Sequence, residues 1–120
     1  MAQKYEFKGN AYRHGEDLAA WAKKRSEPAL EPELPIIDPH HHVWDDKRGR
    51  YLVHELAEDV VGTGHNVLAT VFIEAGSMYR AAGPEAMKPV GEVEFVNGIA
   101  AMSASGLYGK TKLCHGIIGH

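Results

Sequence analysis

Three consecutive histidines are the residues of this sequence best suited to chemistry. They are His40, His41 and His42, and they follow the apolar pair Ile36-Ile37. In an extended chain, residues two apart point to the same side, about 6.6 Å from each other. His40 and His42 can therefore converge on one ion while His41 faces away, and imidazole suits zinc, iron, nickel and copper. The spacing predicts a divalent-metal site at the end of a strand.

The histidine triplet is also compatible with roles that involve no metal. A solvated polar loop or an incidental histidine-rich tract would equally place three polar residues here. A purification tag is disfavoured, because the triplet is internal and follows an apolar segment.

Three more polar residues are candidates for contact with a substrate. Glu74 ends the second long apolar segment of the chain, and His120 ends the third. Arg80 comes in the loop after Glu74, and its planar guanidinium can bind a substrate carboxylate through two hydrogen bonds. For Glu74 the alternative is a solvated strand end or a helix-cap partner, and for His120 and Arg80 it is an ordinary solvated side chain.

The third apolar segment contains two further reactive residue types, His115 and Cys114. A histidine inside a strand is expected to be a hydrogen-bonded core residue. Cys114 is expected to be an inert buried thiol rather than a nucleophile.

Composition excludes several classes of partner. The 120 residues are 44% hydrophobic, and 13 Lys and Arg against 16 Asp and Glu give a net charge of −3. Charges of both signs are interspersed along the sequence. No cluster of basic residues that would bind nucleic acid or an anionic membrane is therefore predicted. No apolar run approaches the roughly 20 residues that span a bilayer, and one cysteine allows no intrachain disulfide. These features predict a cytoplasmic location.

The elements that position the candidate residues alternate between strands and helices. Residues 15–26 have helical spacing, and the proline-rich stretch that follows predicts an extended linker up to residue 34. The predicted order is then a strand from Pro35, a helix that carries Leu52, Val53, Leu56 and Val60 and ends at Gly62, a strand over 66–74, a helix from Pro89 to Met102 and a strand over 113–120.

This β-α-β-α-β order predicts an α/β fold with a parallel sheet and right-handed crossovers. A closed eight-stranded barrel takes roughly 250 residues. Three parallel strands alone leave both sheet edges and one face uncovered. We therefore expect a helical extension and linker over 1–34, and over 35–120 a partial barrel domain that is truncated at its C-terminus.

The segment from Pro35 to Asp45 resembles the opening of the amidohydrolase-related family of TIM-barrel enzymes, also called the amidohydrolase 2 family. Residues 65–74 and 89–101 are similar to the second strand and second helix of the same family. The resemblance covers residues 16–120 and has the three segments in the family's order.

The resemblance implies a (β/α)8 TIM barrel with one or two divalent metal ions, often zinc, that activate water to attack an amide, ester or lactone. Members close to this pattern include lactonases. His40 and His42 match the family's first-strand ligand pair. The family's other ligands, histidines of the fifth and sixth strands and an aspartate of the eighth that also acts as general base, would come after residue 120. The general base is therefore unassigned.

Three functions are compatible with this pattern. The first is a metal-dependent hydrolase of a small-molecule substrate. The second is a metal-dependent decarboxylase, a lyase of the same superfamily, which product analysis would separate from the first. The third is a catalytically inactive fragment that self-associates through its open sheet edges.

Overall fold

The computed structural model describes residues 15–120 of the chain. The helices of these residues are α1 (Gly15–Ala22), α2 (Val53–Gly62) and α3 (Val90–Ala104), with a 3-10 helix at Glu85–Met87. The strands are β1 (Pro35–His41), β2 (Trp44–Asp46), β3 (Gly49–Tyr51), β4 (Asn66–Ile73) and β5 (Lys112–Ile118). No helix within residues 15–120 is long and apolar enough to cross a membrane.

β1, β4 and β5 form a parallel sheet with β4 at its centre. α2 connects β1 to β4, and α3 connects β4 to β5. The pairing of β1 with β4 runs from Pro35 opposite Asn66 to His41 opposite Phe72, with an irregularity between Asp38 and His41. The predicted parallel α/β arrangement is thereby confirmed, whereas the closed barrel stays a prediction.

Helices α2 and α3 cover one face of this sheet. α2 buries the side chains of one face of the helix, which include Leu56 and Val60. α3 contributes Val96 and Ile99 to the same core. From the sheet, Phe72 and Leu113 are fully enclosed beneath the helices. The core consists of Val43, Val53, Leu56, Ala57, Val60, Phe72, Val96, Ile99, Leu113 and Cys114.

The opposite face of the sheet is open and apolar. Ile37 and Ile118 are 61% and 54% exposed. Because Ile117 packs against the core, its strand neighbour Ile118 points to the other side. A parallel sheet is normally covered on both faces, so these side chains are suited to burial by further protein.

A β-hairpin that the sequence did not predict follows the histidines. β2 and β3 pair antiparallel, with Trp44 opposite Tyr51. The Trp44 and Tyr51 rings lie 5.5 Å apart, and the Arg48 guanidinium lies 4.8 Å from the Trp44 ring centre. Trp44 therefore packs within its own hairpin.

The N-terminal helix is shorter than its sequence pattern predicts. α1 ends at Ala22, whereas helical spacing continues to residue 26, and its side chains from Glu16 onward are exposed. A helix this short is only marginally stable without tertiary packing, which explains why its last turn does not form. Residues 1–14 of the predicted extension lie outside the described residues.

Gly91 allows α3 to approach the loop before it. A Cβ atom on Gly91 would lie 2.6 Å from the Met78 carbonyl oxygen and 2.7 Å from the Arg80 amide nitrogen. Both are backbone atoms, so Gly91→Ala would push the helix away from the loop. We expect this variant to lose about 1–3 kcal/mol of unfolding free energy, measured by urea denaturation.

Gly98 of the same helix is the matched control. It is exposed, and nothing lies within 4 Å of its Cβ position. Because alanine has a higher helix propensity than glycine, Gly98→Ala should raise the unfolding free energy by about 0.5–1 kcal/mol. If both substitutions changed the unfolding free energy equally, the close approach of α3 to the loop at Gly91 would have no effect on stability.

Candidate functional site

The carboxyl ends of the three parallel strands meet at one edge of the sheet. β1 ends at His41, β4 at Ile73 and β5 at Ile118. His42, Glu74 and His120 come one or two residues after these ends. The structure therefore places the predicted metal pair and two of the three predicted substrate contacts at the same edge.

His40 and His42 converge through their Nε2 atoms, which are 3.2 Å apart. Their rings are nearly perpendicular, with centroids 4.9 Å apart. Asp38 fixes the backbone of this segment, since its Oδ1 accepts a hydrogen bond from the His40 amide. Two imidazole nitrogens bound tetrahedrally to one zinc, each about 2.0–2.1 Å from it, would be about 3.3 Å apart. The observed separation fits that geometry.

The tautomer of His42 is set by the central strand. Its Nδ1 lies 2.8 Å from the Ile73 carbonyl oxygen. A carbonyl can only accept, so Nδ1 carries the proton and the neutral ring has its lone pair on Nε2. A carbonyl that holds the remote nitrogen is the usual support of a metal-binding histidine.

The close approach of His40 to His42 requires one of the two nitrogens to donate a hydrogen bond to the other. With the lone pair of His42 on Nε2, a direct contact requires a proton on Nε2 of His40. A divalent cation can take the place of that proton and bind both lone pairs. Two imidazoles are a donor set that zinc accepts, so the residues present fit the implied metal.

His41 points to the helix-covered side of the sheet. Its Nε2 lies 2.8 Å from the Thr70 hydroxyl, and its ring meets Phe72 edge-on. Burial lowers the pKa of His41 below its usual value, which favours the neutral ring. Thr70 also accepts the Cys114 amide, so His41 belongs to a packed network between β1, β4 and β5.

Glu74 and His120 contact each other at the ends of β4 and β5. His120 Nδ1 lies 3.0 Å from Glu74 Oε2. The Glu74 amide also donates to the Ile118 carbonyl at 2.9 Å. Both side chains are exposed to solvent.

Arg80 is not brought to this pair. Its guanidinium forms a two-point ion pair with Glu94 of α3, with Nε 3.1 Å from Glu94 Oε2. Its backbone amide donates to the Lys88 carbonyl. A substrate carboxylate would have to displace Glu94 to bind Arg80, and the predicted substrate contact stays a prediction.

Glu92 is a residue at this edge that sequence reasoning missed. Its side chain is fully buried, and its Oε1 accepts the amides of Ala75 at 3.0 Å and Ser77 at 2.7 Å. It therefore fixes the loop that follows Glu74. An acidic residue in the first turn of a helix after a proline was the available signal, but such residues are usually solvated.

His115 is exposed, whereas its place inside an apolar strand predicts a core histidine. The reason for this correction is a local change in the backbone of β5. Cys114 has a positive φ of 52°, which interrupts the alternation of the strand. As a result Leu113 and Cys114 are both buried and His115 turns outward.

Cys114 is buried as predicted, and burial raises the pKa of its thiol to about 12. We expect no labelling of the native chain by a thiol reagent such as iodoacetamide at pH 8, because the thiolate is the reactive form. Labelling in denaturant should be complete and supplies the control. Rapid labelling of the native chain would contradict the buried position.

A separate open groove of about 650 Å³ lies between α2 and the segment that follows α3. It is lined by His54, Ala57, Glu58, Val61, Gly62, Leu107, Tyr108 and Gly109. None of these residues is at the carboxyl edge of the sheet, so the groove is not part of the candidate site.

Within residues 15–120, no group of three or more His, Cys, Asp or Glu side chains is arranged to hold a metal ion. Comparison of the chain with protein-family models, with curated proteins and with solved structures found no match in any of the three.

Proposed function

We propose that this chain contributes the first ligand pair of a metal-dependent hydrolase acting on an amide, ester or lactone. His40 and His42 would hold the ion, and zinc is the metal that we favour. The observation that carries the proposal is the 3.2 Å approach of the two Nε2 atoms, with His42 fixed in the metal-binding tautomer by Ile73. The sequence resemblance to the amidohydrolase-related family supports the same reaction class.

The chain's own residues would prepare this site in three ways. His42 is oriented by the Ile73 carbonyl, His40 is positioned by the Asp38 carboxylate, and His41 anchors the strand end in the core. A bound zinc ion would supply Lewis-acid activation of water near neutral pH. Catalytic zinc sites use about three protein ligands, so the proposal requires at least one ligand in addition to this pair.

The open sheet face supports a barrel around this site. In an α/β barrel, helices cover the outer face of parallel strands and apolar side chains fill the interior. Ile37 and Ile118 would then be interior residues, and the histidine pair would lie at the carboxyl rim, where barrel active sites are built. We therefore assign β1, β4 and β5 to the first three strands of a (β/α)8 barrel within this proposal.

Calorimetric titration of the metal-free chain with Zn²⁺ at neutral pH tests the proposal. We expect one ion per chain, bound through Nε2 of both rings. The double variant with His40→Ala and His42→Ala should not bind. His115→Ala removes an exposed histidine of β5 and should bind as the original chain does. Binding that survives in the double variant, or no binding by the original chain, would contradict the proposal.

A further inference from the structure

The N-terminal helix presents an apolar pair to solvent. Leu18 and Trp21, three residues apart on α1, are 50% and 63% exposed. Side chains at this spacing lie next to each other on a helix and form one apolar stripe. The helical spacing of the sequence continues to residue 26, although the helix ends at Ala22. A partner surface under the stripe would supply the packing that the last turn lacks.

The groove between α2 and the segment after α3 is a second exposed apolar surface. Val61 in its α2 wall is 65% exposed, and Leu107 in the opposite wall is 84% exposed. The two walls are held together, because the His54 and Tyr108 rings meet edge-on with centroids 5.2 Å apart. The fold itself therefore forms this groove, and its volume of about 650 Å³ admits large apolar side chains.

The charges of α1 complement those of the groove. The acidic residues of α1 are in its first turn, and Lys23 and Lys24 follow its end. The groove has Glu58 in its α2 wall and the exposed Lys110 next to its opposite wall. A helix with opposite charges at its two ends thus meets a groove bordered by both signs of charge, which favours one direction of docking.

The linker determines which copy's groove α1 reaches. Gly109 comes just before β5 and Pro35 begins β1, so the groove is about 10 Å, or two strand spacings, from the end of the linker. Residues 23–34 contain Pro28 and Pro32, and an extended linker of this length spans about 37 Å. The radius of gyration is 17.4 Å, against about 13 Å for a compact chain of this size. An arm extended this far passes beyond the groove of its own copy.

We propose that α1 of one copy docks in the groove of a second copy and that the exchange is reciprocal. Leu18 and Trp21 are the anchors, and Val61 and Leu107 are the surface that they cover. A two-fold arrangement buries both arms and both grooves and closes the assembly as a dimer. The interface is distant from the carboxyl edge of the sheet and does not depend on the proposed hydrolase function.

Sedimentation equilibrium of the full chain tests the dimer. We expect the original chain to dimerise. An arm variant with Leu18→Asp and Trp21→Asp should raise the dimer dissociation constant at least about 100-fold, because it removes the anchors at the centre of the contact. A groove variant with Val61→Asp and Leu107→Asp should have the same effect. A monomeric original chain would overturn the proposal.

The open sheet face supplies the matched control for these variants. Ile37→Asp with Ile118→Asp places the same two charges on another exposed apolar surface and should leave the dissociation constant unchanged. All of the substituted side chains are exposed, and circular dichroism checks that each variant keeps its fold. A dimer that the arm and groove variants retain and the sheet variant loses would place the interface on the sheet and refute docking of α1.

Cross-linking of single-cysteine variants separates exchange between copies from folding of the arm onto its own copy. Leu18→Cys and Val61→Cys are mixed and treated with a short bismaleimide, and the buried Cys114 does not compete. We expect a covalent dimer of one chain of each variant. Met87→Cys in place of Val61→Cys should give none, since Met87 comes before α3, toward the carboxyl edge of the sheet. If Leu18→Cys and Val61→Cys yield no covalent dimer, or cross-link only within a chain that carries both, exchange between copies does not occur.

Discussion

Replacing either His40 or His42 by alanine is expected to weaken Zn²⁺ binding at least about 100-fold. Even partners that only orient a ligand change metal affinity by about 10–100-fold, so loss of a ligand from a pair should cost more. His41→Ala should leave the affinity nearly unchanged and instead lower the unfolding free energy by about 1–3 kcal/mol. The reason is that its ring contacts Thr70 and Phe72 on the covered side of the sheet.

The contrast between neighbouring residues makes this experiment specific. General damage to the end of β1 would affect binding in all three variants alike. Zn²⁺ titration and urea denaturation of the same protein samples measure the two effects independently. Equal loss of affinity in all three variants would mean that the triplet is structural and that the convergence of His40 and His42 does not bind metal.

The long elements of the fold were predictable because their burial is periodic. Leu56 and Val60 lie one helical turn apart, and both are buried in α2. The continuous apolar run over 66–74 predicted a strand, and β4 is the central strand of the parallel sheet. Over such lengths the spacing of apolar residues predicts the element more strongly than the helix or strand propensity of any single residue.

Short elements were not predictable for the opposite reason. β2 and β3 have three residues each, too few for a period to be recognised. Their pairing depends on the contact of Trp44 with Tyr51 and on the Gly49 turn, where φ is +105°. The α1 boundary was also missed, because charged residues after Ala22 continue a helical pattern without a surface to pack on.

Within the site, sequence alternation predicted the approach of His40 and His42 but not its support. The Ile73 carbonyl that fixes the His42 tautomer is 31 residues away along the chain. The pairing of Glu74 with His120 likewise joins residues 46 positions apart. Such contacts depend on strand register, and a one-residue shift of register would move each side chain to the other face.

Glu92→Ala is expected to cost about 2–5 kcal/mol of unfolding free energy. The substitution leaves the amides of Ala75 and Ser77 without their acceptor in a buried setting and creates a cavity under the loop. Glu92→Gln is the matched control, since it keeps the shape and one oxygen for both amides. Glu92→Gln should lower the unfolding free energy by less than half as much as Glu92→Ala does, measured by urea denaturation.

Hydrogen exchange at the same two amides tests whether this loss is local to the edge of the sheet. In the original chain and in Glu92→Gln, the Ala75 and Ser77 amides should be protected, because each donates to the Glu92 position. In Glu92→Ala both should exchange much faster than the amides of β4, since the loop can open without unfolding of the sheet. If the alanine and glutamine variants lose equal stability, the charge of Glu92 rather than its acceptor geometry holds the loop. If protection of both amides survives in Glu92→Ala, the loop that carries Glu74 is held by other contacts, and Glu92 has no role in positioning it.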